Sequence, residues 1–100
     1  MSFSVYILYS FRIDSFYRGQ TNDMTKRLIR HNSGYENFTK KGIPWILLWV
    51  TEKKTRKEAL LLEKKIKNLS REKLVDFMVK YQNDMAGPDA LTVIRQWSGC

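Results

Sequence analysis

The sequence predicts a small α+β domain, and three observations predict it. Two β-branched and aromatic runs lie close together near the N-terminus, an apolar run "WILLWV" sits mid-chain, and three stretches carry helical spacing of apolar residues. A chain of 100 residues has room for one such domain, because at this length well over half of the unfolded surface can be buried.

Taken in order, "SFSVYILYS" is β-branched and aromatic without a breaker, "FRID" can turn, and "SFYRGQ" reads as a second short strand, so an antiparallel hairpin opens the chain. "TNDMTKRLIRHNSG" then offers Asn22 and Asp23 as caps, Met24 and Leu28 at helical spacing, and Asn32 with Gly34 as a stop. "YENFTKKGIP" reads as a polar loop. The apolar run after it suits a strand covered on both faces, in the centre of the sheet or paired beside the hairpin. "TRKEALLLEKKIKNL" is the longest helical signal, capped by Thr55, with Ala59, Leu62, Ile66 and Leu69 as its stripe. Ser70 caps a third helix, "REKLVDFMVKYQ", whose apolar side is Leu74, Phe77, Met78 and Tyr81. These elements make residues 1–82 the domain and 83–100 a C-terminal tail, docked through a short helical piece around Ala90 to Trp97 or mobile.

With 43% hydrophobic and 13% aromatic residues the chain can build a core, which excludes a disordered class. Eighteen Lys and Arg against ten Asp and Glu leave a net charge of +8. That excess suits a polyanionic partner, above all nucleic acid, because each neutralised phosphate releases counterions. A membrane surface is disfavoured, since no helix is basic on one side and cleanly apolar on the other. No apolar stretch reaches the length of a membrane span and the N-terminus lacks a signal-peptide pattern. The single cysteine, Cys100, allows no internal disulfide and no multi-cysteine zinc site, so the expected setting is the reducing cytoplasm.

Chemistry concentrates in a few places. Arg27 and His31, the chain's single histidine, project from one side of the first helix, flanked by Lys26 and Arg30. Arginine offers a rigid fork of donors to a phosphate, and histidine can relay a proton near neutral pH. On the long helix both Glu63 and Glu58 border the apolar stripe, and geometry does not choose between them; either could instead be a surface carboxylate paired with a lysine one turn away. Tyr6 and Tyr17 sit mid-strand, where a core role is the ordinary one. Together a carboxylate, two phenols, an arginine and a histidine on a basic domain could form a phosphodiester site, provided they converge. There is no P-loop, no dinucleotide glycine fingerprint and no HExxH pattern.

"SVYIL" followed by "FYRGQTNDMTKRLIRHNSG", "FTKKGIPWILLWV" and "TRKEALLLEKKIKNLSREKLVDFM" resembles a GIY-YIG nuclease domain of the small stand-alone bacterial type, from about Ser2 to about Lys80. Ser4, Val5 and Tyr6 fall on the first motif, with serine in place of its glycine, and Tyr17, Arg18 and Gly19 on the second. The family's arginine and histidine fall on Arg27 and His31, and its metal-binding glutamate on Glu63 rather than Glu58. For its downstream asparagine the candidates are Asn68 and Asn83.

The resemblance implies a three-stranded antiparallel sheet flanked by about three helices, and a single divalent ion, Mg²⁺ or Mn²⁺, held by Glu63. Arg27 would stabilise charge on the phosphate, Tyr6 assisted by His31 would accept a proton from water, and Tyr17 would orient water and phosphate. Since a free phenol has a pKa of about 10, nearby positive charge would have to lower that of Tyr6. Gly19 would let the backbone approach the site. Arg18, Lys26, Arg30, Lys40 and Lys41 would contact nucleic acid. The implied activity is hydrolysis of DNA phosphodiesters, in repair or recombination and on structured or branched DNA, with RNA also admissible, by a monomer or weak homodimer. Two other readings compete: a nucleic-acid-binding domain of the same fold with little or no cleavage, and an interaction module in which Leu60, Leu61 and Trp97 form a dimer patch.

Overall fold

A computed structural model of the chain describes residues 2–87. The N-terminal hairpin forms as expected from β1 (Phe3–Ser10) and β2 (Ser15–Thr21), and β3 (Trp45–Lys53) pairs antiparallel with the other side of β1. The strand order is therefore β2-β1-β3. The central strand is β1, buried from Ser4 through Ser10. The apolar run "WILLWV" takes the place beside the hairpin, and its outer edge is partly covered by the chain that follows the last helix. Met85 bridges to Trp49, and the Ala86 amide donates to the Leu48 carbonyl at 2.8 Å. Covering an edge in this way removes a row of unpaired backbone groups.

Each face of the sheet carries its own core. Val5, Ile7 and Tyr9 of β1 pack on one side with Ala59 and Ile66 of α3 (Arg56–Lys67) and Leu74, Val75 and Met78 of α4 (Arg71–Lys80). Tyr6 and Leu8 point the other way, to Trp45, Tyr17 and to Met24 and Leu28 of α1 (Met24–Asn32). A bulge lies in the β1–β3 register, where Ile7 faces Trp49 but Leu8 faces Leu47. The extra residue brings both Leu48 and Trp49 into the α3/α4 core.

The helix starts follow their caps. Asp23 accepts from the Lys26 amide, Thr55 from that of Glu58 and Ser70 from that of Lys73. The first helix ends at Asn32, and Gly34 supplies a left-handed residue at φ +82° just beyond it. Two expectations need correction. The stretch read as a polar loop contains a one-turn helix, α2 (Asn37–Lys40), closed by the Lys40 amide on the Glu36 carbonyl at 2.9 Å. On α4 the buried residues are Leu74, Val75 and Met78, while Phe77 is partly buried and Tyr81 is exposed. Tyr81 ends that helix with non-helical backbone and uses its carbonyl to accept from Trp49 Nε1 at 3.0 Å. A short 3-10 turn, Gln82–Asp84, leads into the strand-edge contact. The helical piece expected around Ala90 to Trp97 lies outside the described residues.

Candidate active site

Tyr6 stands mid-strand in β1, opposite Gly19 of β2, on the α1 side of the sheet. Its ring lies across Gly19. A Cβ built there would sit 2.6 Å from Tyr6 Oη and 2.7 Å from Cζ, closer than any side chain tolerates, so glycine is required by the phenol itself. Tyr17 is one step further along the same face, with its ring centroid 6.3 Å from that of Tyr6 and 4.7 Å from that of His31.

Helix α1 supplies the other half of this cluster. His31 is fully buried and its Nε2 is 3.0 Å from Tyr6 Oη. Arg27, one turn earlier, donates from Nε to the same oxygen at 3.4 Å. A third group, absent from the sequence-based set, closes the arrangement: Glu36 lies 3.6 Å from Arg27, 3.2 Å from Arg30 and 3.9 Å from His31 Nδ1. The first turn of the neighbouring α2 adds Thr39, fully buried, with Oγ1 3.3 Å from His31 Nδ1. Asn32 ties α1 to β3, its amide accepting from the Trp45 backbone at 2.6 Å and donating to the Trp45 carbonyl at 3.0 Å.

The electrostatics follow from burial. Tyr6 is pushed up to about 12, chiefly by burial; its hydrogen bond from Arg27 opposes the rise without offsetting it. The expectation that positive charge lowers this phenol is therefore reversed: desolvation of the charged form wins. Burial also holds His31 below its usual value, helped by Arg27 and Arg30 and opposed by Glu36. The resting pair is a neutral phenol beside a neutral imidazole, under a permanent cation.

Four of the five principal candidates, Tyr6, Tyr17, Arg27 and His31, thus meet. Glu63 comes from α3, whose Ala59 and Ile66 belong to the core on the other face of the sheet. It is part-buried, and its Oε1 lies 3.0 Å from Lys67 Nζ one turn along. Among the described residues no hydrogen bond or ion pair joins it to the other four. Glu58 is accounted for locally, in a reciprocal capping pair with Thr55. Arg18 alternates with Tyr17 and so turns toward α3, where it donates to the Lys67 carbonyl at 3.2 Å. It is engaged with that helix end while remaining partly exposed. Lys26, Arg30, Lys40 and Lys41 are exposed, the first two on α1 and the others at the end of α2.

A model of the GIY-YIG catalytic domain matches residues 2–76. The chain belongs to the GIY-YIG family. Within it, the chain is 32% identical over 72 residues to a UPF0213 protein of Listeria welshimeri, covering 71% of this chain and 80% of that protein. The solution structure of a UPF0213 protein from Bacillus halodurans superposes with a TM-score of 0.53 at 30% identity, covering 92% of this chain and 94% of the other. GIY-YIG proteins are a nuclease family, generally endonucleases that use divalent metal ions and act on nucleic acid. No helix among the described residues is long and apolar enough to cross a membrane.

The donor chemistry of this GIY-YIG chain fits such an ion in one way. Among the described residues there is no group of three or more His, Cys, Asp or Glu side chains placed to hold a metal ion. A lone, part-buried carboxylate such as Glu63 fits a hard cation that keeps most of its water and takes its remaining ligands from a phosphate. Sequence reasoning missed Glu36 and Thr39. A signal for the first was present, since Glu36 is the only acidic residue between Asp23 and Glu52, in a segment otherwise rich in lysine and arginine. For Thr39 there was none, because a lone threonine in a polar stretch carries no periodicity.

Proposed function

We propose that the chain is a metal-dependent endonuclease that hydrolyses DNA phosphodiesters, with branched or otherwise structured DNA as its substrate, in DNA repair or recombination. The observation that carries this reading is the meeting of Arg27 and His31 Nε2 at one phenol oxygen, Tyr6 Oη, on a chain of net charge +8. Exposed Lys26, Arg30, Lys40 and Lys41 would hold the backbone of the nucleic acid by charge.

A phenol with a pKa of about 12 is ionised on the order of 1 part in 10⁵ at pH 7. Tyr6 therefore acts as a relay. It takes a proton from the attacking water while passing its own to His31 Nε2, and the resulting hydroxide forms the new bond to phosphorus as the bond to the leaving oxygen breaks. Tyr6 has no exposed surface, so water reaches it only when a covering side chain moves. Arg27 is the candidate: it is one-third exposed, touches Oη, and its partner Glu36 competes with any incoming phosphate. On the phosphate, Arg27 stabilises the charge that builds in the transition state, and Tyr17 orients phosphate and water from the exposed side. Glu63 would hold the divalent ion, Mg²⁺ or Mn²⁺, which would supply positive charge to offset that of the phosphate.

The alternative is a nucleic-acid-binding domain without cleavage, favoured by the pairing of the Glu63 carboxylate with Lys67 at 3.0 Å. One experiment decides. Branched, flapped and duplex DNA and structured RNA are incubated with Mg²⁺ or Mn²⁺ and wild type, Glu63→Ala or Arg27→Ala. Metal-dependent cleavage lost in both variants is the expected result. Cleavage that survives Glu63→Ala sinks the mechanism, and salt-dependent binding with no cleavage establishes the alternative.

A further inference from the structure

We propose that Thr39, backed by the Glu36 carboxylate, is a positioning residue that fixes His31 as the Nδ1–H tautomer, leaving a bare Nε2 to receive the proton of Tyr6. The tautomer follows from the hydrogen bonds alone; its catalytic consequence rests on the nuclease reading above.

The fully buried His31 ring has a partner at each nitrogen: Tyr6 Oη 3.0 Å from Nε2, and Thr39 Oγ1 3.3 Å from Nδ1. Arg27 decides the direction of the chain. Its Nε can only donate, so the Tyr6 oxygen already accepts one hydrogen bond, with an N···O distance of 3.4 Å. The phenol's own hydrogen needs an acceptor, and Nε2 serves if it is unprotonated. The opposite tautomer would aim two N–H groups at one oxygen and turn the Nδ1 lone pair toward the Glu36 carboxylate, 3.9 Å away. All the bonds then run one way, from Arg27 through Tyr6 and His31 to Thr39. When Tyr6 gives up its proton, the imidazolium that forms has Glu36 beside it, the role the third member plays in a nucleophile–base–orienter triad.

Thr39 cannot drift from this position. It is fully buried in α2, and its carbonyl accepts from Trp45 Nε1 at 2.7 Å and from the Gly42 amide at 3.1 Å. The single turn of α2 thereby sets both orienting groups, Glu36 at its cap and Thr39 within it. The other groups facing the ring are Arg27 and Arg30 from its own helix and the phenols of Tyr6 and Tyr17 from the hairpin.

His31 is the single histidine of the chain, so a long-range proton–nitrogen NMR correlation on the ¹⁵N-labelled full-length protein reads this tautomer without ambiguity and without any nucleic acid. Wild type is expected to show Nδ1–H. Thr39→Val should swing the ring toward Nε2–H and lower kcat at least about tenfold with KM little changed, and Thr39→Ser should restore both. Glu36→Gln should lower the pKa of His31 in the same spectra. An Nε2–H ring in wild type, or an unchanged ring in folded Thr39→Val, overturns the proposal. Should Thr39→Val not fold, a His31 pKa that fails to drop in Glu36→Gln overturns it equally. An Nδ1–H ring in a protein that cleaves no nucleic acid would refute the nuclease reading and leave the tautomer assignment standing.

Discussion

Replacing Gly19 with alanine tests the geometry on which the site depends. The new methyl would lie 2.6 Å from Tyr6 Oη, 2.7 Å from Cζ and 3.2 Å from Cε1. The ring cannot simply swing aside, because it is fully buried and its hydroxyl is held by His31 and Arg27. Either the strands separate locally or the ring leaves its place. Overpacking of this kind costs about 1–3 kcal/mol, and a lost buried hydrogen bond adds about 1 kcal/mol. The expected destabilisation is about 2–4 kcal/mol, which for a domain of this size lowers Tm on the order of 10–25 °C. Urea unfolding of wild type and Gly19→Ala, each also in a Tyr6→Leu background, measures it. Removal of the ring in Tyr6→Leu should abolish most of the penalty, giving a coupling energy above about 1 kcal/mol. A Gly19→Ala protein as stable as wild type, or a penalty unchanged by Tyr6→Leu, refutes the argument that the phenol dictates the glycine.

Three further outcomes follow from the same contacts. The folded pKa of Tyr6, about 12, lies above its unfolded value of 10.0, so the stability it contributes is intact below pH 10 and drains away between about pH 10 and 12; urea unfolding across that range should be markedly flatter for Tyr6→Phe. His31 has a folded pKa below its ordinary 6.5, so its contribution is intact above pH 6.5 and is lost as pH falls through the folded value, a loss that His31→Gln should not show in acid titrations followed by circular dichroism. Asn32→Ala leaves the backbone N–H and C=O of the buried Trp45 without their partners, and should cost about 2–4 kcal/mol in chemical denaturation; a loss under about 0.5 kcal/mol would mean that they are satisfied otherwise.

The hairpin, α1, β3 and α3 were legible because their signals are local: strand composition, caps at Asp23, Thr55 and Ser70, and apolar stripes at helical spacing. The place of β3 was open for a physical reason. A continuous apolar run reports coverage on two faces but not which neighbours provide it, and both "SVYIL" and "WILLWV" qualify. Antiparallel register then made β1 central. Val75 was missed because the stripe on α4 was drawn through Phe77 and Tyr81, and Tyr81 leaves helical geometry to serve Trp49. In the site, residue types and spacing on one element were readable, as for Arg27 and His31. Groups that matter through partners elsewhere in the chain, Glu36 and Thr39, were not. The sign of the Tyr6 shift was likewise invisible, since a sequence displays nearby charges but not the burial that outweighs them.

The two parts of the site also differ in what holds them. Tyr6 lies between Val5 and Ile7, which anchor the opposite core, so its backbone is clamped by contacts on the far side of the sheet. His31 is fixed through Asn32 to β3 and through Thr39 to α2. The tyrosine–histidine pair thus inherits the rigidity of the strand, helix and α2 contacts that hold it, while Arg27 stays free to move. Glu63 depends on one helix, α3, whose far end is tied to the hairpin by Arg18 on the Lys67 carbonyl while Lys67 itself neutralises the Glu63 carboxylate. A divalent ion and a phosphate would compete with Lys67 for that carboxylate. On the proposed nuclease reading, completing the site would take the exchange of two internal ion pairs, Glu36 from Arg27 and Lys67 from Glu63, for contacts with substrate, and would tie assembly of the reactive arrangement to binding of a polyanion rather than to folding.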